Sequence, residues 1–396
     1  MPLIRRKRKH RFLHSPRFSN IFRRNTQAAT SKGNRVELFE HGAAFLPALL
    51  QACGDAKGFL HLEFYMIRDD AIGSAFAETL LNAVKRGVEV CLIYDYIGCF
   101  DTPASYFGRL EEGGVRCLPF NPPPFRRGIA WFDKRDHRKM AVIDGKSAFV
   151  GGINIGSEYA GCGESLAKWR DLGMRIDGPG ATELEKLFRS NWHEENRSIS
   201  SVWDEEPDPV APMGDAELLI VNGGPHHNRS WIRSAFRLAI AGASDSVRII
   251  NPYFVPGPRV LRSLLRAAAR GVAVQLILPA KSDVPIVGLV GRSYYTPLLK
   301  GGIEIFEREG TVLHAKVMLI DDSWAVVGSA NLDQRSFHRN YEVNVIVNSQ
   351  EFGGQVAEMF SEDLKRSRRI LIEEHERRGW LVRLLEWLCA PISWFL

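Results

Sequence analysis

The alternation of apolar and polar positions predicts the same order of elements in each half of the chain. In the first half, residues 59–66 form an apolar run typical of a strand, and apolar side chains recur at helical spacing over residues 73–86. Gly87 ends this helix and residues 88–94 form a second apolar strand, which predicts a βαβ unit. The second half repeats the order with a strand, a helix, a glycine and a strand at 247–254, 257–270, 271 and 272–278. The pattern therefore predicts a duplicated α/β lobe.

One polar motif interrupts an apolar strand in each predicted lobe. It consists of a histidine, a lysine two positions later and a following aspartate. The two copies are His137, Lys139 and Asp144, and then His314, Lys316 and Asp321. A glycine and an asparagine follow each copy at equal offsets, as Gly151 and Asn154 and as Gly328 and Asn331. From average residue usage a single match arises by chance at roughly the few-per-cent level, so two copies with matching tails are not accidental.

The spacing places the histidine and lysine of each motif on one face of a strand, because side chains alternate along a strand. We expect a two-residue hairpin turn after each strand, at positions 144–145 and 321–322. With such turns, the residues that share the histidine face are Asn154 in the first copy and Ser329 and Asn331 in the second.

The aspartates Asp144 and Asp321 stand at odd spacing from their histidines. We therefore expect them to orient the turn or a partner rather than to contact the substrate.

This set of side chains suits phosphodiester chemistry. A lysine supplies a fixed positive charge, and asparagine and serine donate hydrogen bonds to phosphoryl oxygens. A neutral histidine can attack phosphorus, and a protonated histidine can give a proton to the leaving alcohol, so one site needs both copies. A metal site is not expected, because neither histidine has a second ligand at the usual spacing.

The paired motifs resemble the HKD motifs of the phospholipase D superfamily. The resemblance implies two tandem phospholipase D-like α/β/α sandwich lobes related by a pseudo-two-fold axis, a phosphohistidine intermediate, and no metal or cofactor. It implies that His137 is the nucleophile and that His314 is the acid and then the base. It also implies an acidic residue behind each histidine, for which the candidates are Asp171 behind His137 and Glu342 behind His314.

Within that superfamily the chain is most similar to bacterial cardiolipin synthases, over about residues 35 to 350. The segments that carry this resemblance are 169–171, 281–287 and 328–333. It resembles the shorter type, since the two N-terminal transmembrane helices of the long form are missing. The resemblance implies transfer of a phosphatidyl group from one phosphatidylglycerol to another with release of glycerol. A phospholipase D-type hydrolase, another phosphatidyltransferase and, less favoured, a nucleic-acid phosphodiesterase remain open alternatives.

Composition changes this picture in two respects. The net charge of +6 over 396 residues favours an anionic partner, either phospholipid or nucleic acid. The six cysteines lack a CxxC pair, which is typical of reduced thiols in a protein facing the cytosol. No apolar run reaches the length of a transmembrane helix, so we expect peripheral attachment to the cytoplasmic face of the cell membrane, with no obligate nucleic-acid partner.

The domain organisation is predicted from charge and apolar spacing. It comprises a basic arm over 1–34, a first lobe over 35–192, a linker over 193–215, a second lobe over 216–375 and a Trp-rich amphipathic anchor over 376–396.

Three of these regions leave alternatives open. The arm, either mobile or partly helical, could bind membrane or nucleic acid or remain solvated. In the last segment Trp380, Trp387 and Trp394 recur every seven residues, so a helix there could lie at the membrane interface or pack on a lobe. The first lobe carries 11 extra residues within 121–132, either a membrane-facing rim or an ordinary loop. The oligomeric state is undetermined by sequence.

Overall fold

The computed structural model describes residues 12–123, 132–196, 206–225 and 230–389. Most of the predicted rim segment, much of the predicted linker and both chain ends, 1–11 and 390–396, lie outside the described residues.

The described chain begins with helix α1 (Pro16–Thr26), and the first lobe follows with a long strand and then alternates strands with helices. The helices of the first lobe are α2 (Gly42–Asp55), α3 (Ala71–Lys85), α4 (Ala104–Glu112) and α5 (Pro179–Glu195). Its strands are β1 (Ala29–Phe39), β2 (Phe59–Phe64), β3 (Glu89–Asp95), β4 (Arg116–Phe120), β5 (Lys139–Ile143), β6 (Ser147–Gly151) and β7 (Gly173–Asp177).

The second lobe repeats this order and adds elements at its end. Its helices are α6 (Trp231–Gly242), α7 (Gly257–Ala269), α8 (Pro285–Arg292), α9 (Tyr295–Lys300), α10 (Gln334–His338), α11 (Gln350–Lys365), α12 (Ile372–Glu376) and α13 (Trp380–Cys389). Its strands are β8 (Ala216–Gly223), β9 (Ser246–Ile250), β10 (Ala273–Pro279), β11 (Glu304–Arg308), β12 (Val317–Ile320), β13 (Trp324–Gly328), β14 (Glu342–Asn348) and β15 (Ser367–Arg369).

All these strands join one 15-stranded sheet that runs through both lobes. From one edge to the other the order is β15-β11-β10-β9-β12-β13-β14-β8-β1-β7-β6-β5-β2-β3-β4. The strands β2, β3 and β4 of the first lobe and β9, β10 and β11 of the second are parallel, as βαβ units require, and the edge strand β15 pairs antiparallel with β11. The inner strands form antiparallel hairpins. The central pair β1–β8 is antiparallel, so the lobes are related by a pseudo-two-fold axis there. This confirms the predicted α/β fold class.

Three buried apolar clusters cover the two faces of the sheet. One lies under α5 and α11 and runs across both lobes, with Phe188, Trp192 and Phe360 among its members. On the opposite face, one cluster packs α2, α3 and α4 on the first lobe. The other packs α1, α6 and α7 on the second lobe. The shared cluster holds the lobes together, because a single apolar layer continues past their boundary.

The hairpins that carry the motifs have three-residue loops, so the predicted two-residue turns are wrong. Ile143 pairs with Ser147 in the first lobe, and Ile320 pairs with Trp324 in the second. The first loop places two consecutive residues in the left-handed region, with φ of 52° at Asp144 and 65° at Gly145. Aspartate tolerates this conformation because its short side chain bonds to the local backbone. The longer loop shifts each return strand by one residue relative to the prediction.

Residues 12–26, which include α1, pack on the second lobe. Helix α1 begins after Ser15, whose hydroxyl accepts a hydrogen bond from the amide of Phe18 at 3.1 Å. Phe22 is fully buried, and its ring meets that of Trp324 edge-on at 5.3 Å between centroids. The predicted boundary after residue 34 lies inside β1, which pairs with β7 on one side and β8 on the other.

At the other end of the chain, α13 lies beside α8. The Cys389 side chain packs against a small apolar cluster that includes Val290. Trp380 and Leu388 on the same helix are 71% and 55% exposed. No helix within the described ranges combines the length and apolarity that crossing a bilayer requires.

We expect Phe22→Ala to lower the free energy of unfolding by about 3–5 kcal/mol, since it empties a fully buried aromatic position. Chemical denaturation of the full chain measures the change. Ile21→Ala is the matched control, because Ile21 on the same helix is exposed and its truncation should cost less than about 1 kcal/mol. Equal effects of the two substitutions would mean that α1 does not pack on the second lobe.

Candidate active site

The two motifs meet because each approaches the centre on a short main-chain bridge to the other lobe. The amide of His137 donates to the carbonyl of Tyr341 at 2.9 Å. By the pseudo-symmetric contact, the amide of His314 donates to the carbonyl of Arg170 at 2.8 Å. Parallel bridges form at both places. Each histidine is therefore fixed against the residue that immediately precedes an acidic residue of the opposite lobe.

This geometry crosses the histidine–carboxylate pairs between lobes. Nδ1 of His137 lies 3.0 Å from the Glu342 carboxylate, and Nδ1 of His314 lies 2.6 Å from that of Asp171. The two acidic residues are those expected from sequence, but the predicted pairing is wrong. An assignment within each lobe follows chain order, whereas the bridges bring the carboxylate of the other lobe behind each ring.

Glu342 is enclosed by donors. Besides His137 it accepts hydrogen bonds from the hydroxyls of Ser329 and Ser336 and from the amide of Asn340. Burial raises the pKa of Glu342 to about 7, although the nearby Lys139 and these donors lower it. Ser329 was expected to face the substrate, but it is fully buried behind Glu342, because the three-residue loop shifts its strand by one position.

The two lysines lie beneath the histidines of their own motifs. Lys139 Nζ donates to the carbonyl of His137 at 2.6 Å, and Lys316 Nζ donates to that of His314 at 2.5 Å. Lys139 also lies over the ring of Tyr65, 4.9 Å from its centroid. Burial lowers the pKa of Lys139 to about 7 and that of Lys316 to about 8. A negatively charged group that binds beside these lysines would therefore raise their pKa values and favour their protonated forms.

The histidines differ in their electrostatic surroundings. Burial lowers the pKa of His137 well below its usual value, and the charges of Lys139 and Lys316 lower it further. Burial and Lys316 also lower the pKa of His314, but Asp171 and Asp283 act in the opposite direction. His137 is therefore held neutral, with Nδ1 facing its carboxylate. His314 has carboxylates that favour its protonated form.

The motif aspartates lie at the far ends of their strands, away from the histidines. The Asp144 carboxylate accepts hydrogen bonds from the amides of residues 57, 58 and 59, which lead into β2. The Asp321 carboxylate accepts hydrogen bonds from the amides of residues 244, 245 and 246, which lead into β9. Both aspartates thus orient a partner segment, as the odd spacing predicted.

The asparagines reach the same cavity by different contacts. The oxygen and the nitrogen of the Asn154 side chain both form hydrogen bonds. The oxygen accepts from the main-chain amide of Met66 at 3.1 Å, and the nitrogen donates to the hydroxyl of Tyr159 at 2.9 Å. Asn331 is 3% exposed, and its side-chain oxygen has no hydrogen-bond partner among the described residues. Asn154 is thus arranged to position its surroundings, whereas Asn331 has an open polar group.

A cavity of about 370 Å³ opens onto both histidines. Its walls include residues that sequence reasoning did not assign to the site: the aromatic residues Tyr65, Tyr159, Trp169 and Tyr253, the arginines Arg68, Arg135 and Arg335, and the acids Asp283 and Asp333. Trp169, Asp283 and Asp333 stand inside segments already singled out by resemblance, which was a usable signal. Arg68 and Arg135 lie in separate loops and Arg335 lies in α10, and no spacing in the sequence links them.

In the described part of the chain, potential metal ligands group together at His61, Glu89 and Cys91, outside this cavity. Nδ1 of His61 lies 2.7 Å from Glu185. Burial lowers the pKa of His61, but hydrogen bonds to Cys91, Glu185 and Glu89 raise it to about 10. These contacts favour a protonated imidazole that forms an ion pair with Glu185.

Two pseudo-symmetric lobes that share one cavity between paired histidine–lysine motifs define a protein of the phospholipase D superfamily. The family described as cardiolipin synthase, PLD-like domain, matches residues 49–192 and 237–364. The chain belongs to this family.

Individual relatives agree with the match. The chain is 33% identical over 347 residues to cardiolipin synthase 2 of Bacillus anthracis, covering 87% of this chain and 68% of that protein. It is 35% identical over 347 residues to cardiolipin synthase A of Pseudomonas aeruginosa strain LESB58, covering 87% and 70% respectively. The crystal structure of phosphatidylserine synthase from Haemophilus influenzae Rd KW20 is similar in fold. Its TM-score is 0.72 at 13% identity, over 96% of this chain and 100% of that one.

We expect Asp144→Ala and Asp321→Ala to destabilise the protein by about 1–3 kcal/mol each, because three main-chain donors lose their acceptor in either variant. Turnover per folded molecule should fall less than about tenfold, since neither carboxylate lines the cavity. Thermal denaturation and turnover corrected for the folded fraction provide the two measurements. A large loss of turnover at unchanged stability would instead make the aspartates catalytic.

Proposed function

We propose that the protein is a cardiolipin synthase, a phosphatidyltransferase that moves a phosphatidyl group from one phosphatidylglycerol to another and releases glycerol. The observation that carries this proposal is the crossed pair of buried histidines on one cavity, each with a carboxylate on Nδ1. The membership in the cardiolipin synthase family supports the choice of reaction.

In the first half of the reaction, His137 attacks phosphorus. Its Nδ1–H donates to Glu342, which leaves a lone pair on Nε2. A histidine held neutral is a nucleophile at neutral pH. The new N–P bond forms the phosphohistidine as the bond from phosphorus to the glycerol oxygen breaks. This step requires protonated His314, a form that Asp171 and Asp283 stabilise against the lowering effect of burial, and His314 gives its proton to that oxygen.

In the second half, His314 acts as a base. It takes the proton from the terminal hydroxyl of a second phosphatidylglycerol, and the resulting oxygen attacks phosphorus and displaces His137. Protons balance, because the one gained by His314 replaces the one given to glycerol. The negative charge on the phosphoryl oxygens is stabilised by Lys139 and Lys316, and the side-chain NH2 group of Asn331, which lines the cavity, donates a hydrogen bond to them.

Acceptor choice depends on the cavity walls. Asp283 accepts a hydrogen bond from the hydroxyl of Tyr253, and both line the cavity on the His314 side. A carboxylate and a phenol offer hydrogen-bonding partners to the hydroxyls of a glycerol headgroup. Aromatic walls at Tyr159 and Trp169 favour a site from which water is excluded, as transfer to an alcohol rather than hydrolysis requires.

Because the proposed substrate, phosphatidylglycerol, is a membrane lipid, we propose that the protein attaches peripherally to the cytoplasmic face of the cell membrane. The exposed leucines Leu384, Leu385 and Leu388 on α13 support contact with lipid. This helix packs beside α8, which begins next to the cavity residue Val284, so an apolar surface lies close to the entrance. The helix can therefore pack on a lobe with one side and face lipid with the other, so the two arrangements considered for this segment are compatible.

The direct test is mass spectrometry of the lipids after incubation of purified protein with phosphatidylglycerol vesicles. Cardiolipin with an equal amount of free glycerol is the expected result. Phosphatidic acid alone would make the protein a hydrolase. Absence of any product, with turnover of a nucleic-acid phosphodiester instead, would move the function to the nuclease class.

We expect His137→Ala and, separately, Lys316→Ala to reduce cardiolipin formation by more than roughly 10³-fold, because each removes a group required at phosphorus. Circular dichroism should show folded protein in both cases. The matched control is Lys146→Ala, in the loop between β5 and β6 of the first motif, and this variant should retain activity. Near-normal turnover in either the His137 or the Lys316 variant would contradict the proposed mechanism.

The lysines predict the alkaline side of the pH profile. A lysine with a lowered pKa carries its charge below that pKa and loses it as the pH rises, so kcat/KM should decline between about pH 7 and 8. In Lys139→Arg the residual activity should decline only near pH 8, since arginine stays charged. A profile flat to about pH 10, the usual range for lysine, would contradict this assignment.

A further inference from the structure

A second cavity of about 490 Å³ lies on the second lobe, on the other side of α10 from the catalytic cavity. Its lining residues are Arg233, Pro256, Gly257, Pro258, Arg259, Gln334, His338 and Arg339. Helix α10 contributes Gln334 and His338 to this second cavity, while Asp333 and Arg335 beside them line the catalytic one. The two cavities are thus neighbours separated by one short helix.

The second cavity concentrates positive charge. None of its lining residues is acidic, and neither Arg233 nor Arg259 forms an ion pair with a carboxylate of the described chain. Arg233 instead donates to Nε2 of His338 at 2.6 Å. Arg339 is neutralised by Asp133 at 2.7 Å. Two guanidinium groups therefore face the cavity without a counter-charge from the part of the chain that the structure describes.

Burial and the positive charges of neighbouring arginines lower the pKa values of His338 and Arg233. Burial lowers the pKa of His338 to about 4, together with the charges of Arg233, Arg259 and Arg339. Burial also lowers the pKa of Arg233, and the causes that follow are Arg259 and Arg237. A bound anion would relieve this repulsion, because it supplies the missing opposite charge.

The N-terminus of α7 adds to the same field. Gly257 begins α7, whose N-terminus has no side-chain cap, whereas Ser230 caps α6 by accepting a hydrogen bond from the amide of Arg233. The positive dipole end of an uncapped helix attracts an oxyanion. The α7 terminus and Arg233 come from different parts of the chain and converge on one cavity.

The pseudo-symmetric place in the first lobe is closed by a carboxylate. The parallel bridges Ile67–Ile155 and Phe254–Leu332 align the two lobes at this point. Counting from them, Gly257 corresponds to Asp70, and Gln334 corresponds to Ser157. Asp70 caps α3 and accepts a hydrogen bond from the amide of Ser157. Gly257 has no side chain that could do the same, so the equivalent place in the second lobe lacks this carboxylate.

We propose that Arg233, Arg259 and His338 form a phosphate-binding pocket that holds the headgroup phosphate of an anionic phospholipid beside the active site. Guanidinium groups bind a phosphodiester by charge-assisted hydrogen bonds, and His338 orients Arg233. The choice of a lipid as the source of the phosphate rests on the proposed function. A lipid held there would keep the catalytic cavity, one helix away, at the bilayer surface.

The test compares full-length protein with the double variant Arg233→Gln/Arg259→Gln in flotation with phosphatidylcholine vesicles that contain 20 mol% phosphatidylglycerol, roughly a physiological anionic fraction. The charge-matched control is Arg262→Gln/Arg266→Gln, on α7 but outside this cavity. We expect the pocket variant to lose at least about fivefold in partitioning and the control less than about twofold. Equal losses in both would indicate diffuse surface charge and overturn the pocket. Thermal denaturation of both variants checks that they are folded.

Competition identifies the source of the phosphate. Water-soluble dibutyryl phosphatidylglycerol should displace the wild-type protein from the vesicles at concentrations where inorganic phosphate does not. Displacement by inorganic phosphate alone would assign the pocket to free phosphate and overturn the lipid assignment. These are binding measurements, so they remain interpretable even if wild-type protein forms no cardiolipin, the result that would overturn the proposed function instead.

Discussion

The active site depends on two main-chain hydrogen bonds that cross between the lobes, one at each histidine. They join His137 to Tyr341 and His314 to Arg170, and each places a carboxylate of the opposite lobe behind an imidazole. A separate lobe would therefore have a histidine without the partner that fixes its tautomer. This explains in physical terms why the two copies of the motif have to stand in a fixed relation, here enforced by one continuous sheet and a shared apolar layer.

Charge burial is the second constraint on the site. Two histidines, two lysines and two carboxylates are almost completely removed from water, which is costly unless each charge finds a partner. The partners are arranged so that the free site remains incompletely compensated, as the lowered pKa values of Lys139 and Lys316 indicate. A phosphodiester anion completes the arrangement. Binding and protonation of the site are thereby coupled, and the charge of the substrate helps to produce the charged form of the enzyme that stabilises its transition state.

The duplication is symmetric in its framework and asymmetric in its charges. Asp144 and Asp321 bind the start of a neighbouring strand in the same way, and both histidines have a carboxylate on Nδ1. Around this framework, Asp171 and Asp283 partly offset the lowering of the His314 pKa, whereas Lys139 and Lys316 lower the pKa of His137 further. An arginine-lined cavity occurs in the second lobe at a place that Asp70 closes in the first. A symmetric scaffold can thus separate the roles of nucleophile and acid, because the differences lie in side chains at its edge.

The sequence by itself determined the duplicated α/β lobes, the two motifs, the common face of each histidine and lysine, and the structural role of Asp144 and Asp321. These follow from periodicity, which is local and survives in a linear pattern. Tertiary structure decided the rest. Loop geometry set the three-residue turns and turned Ser329 away from the cavity. Docking of the lobes crossed the carboxylate pairs, and packing against Trp324 made α1 part of the second lobe. Those outcomes depend on contacts between residues far apart in the chain, and local periodicity carries no information about which distant surfaces meet.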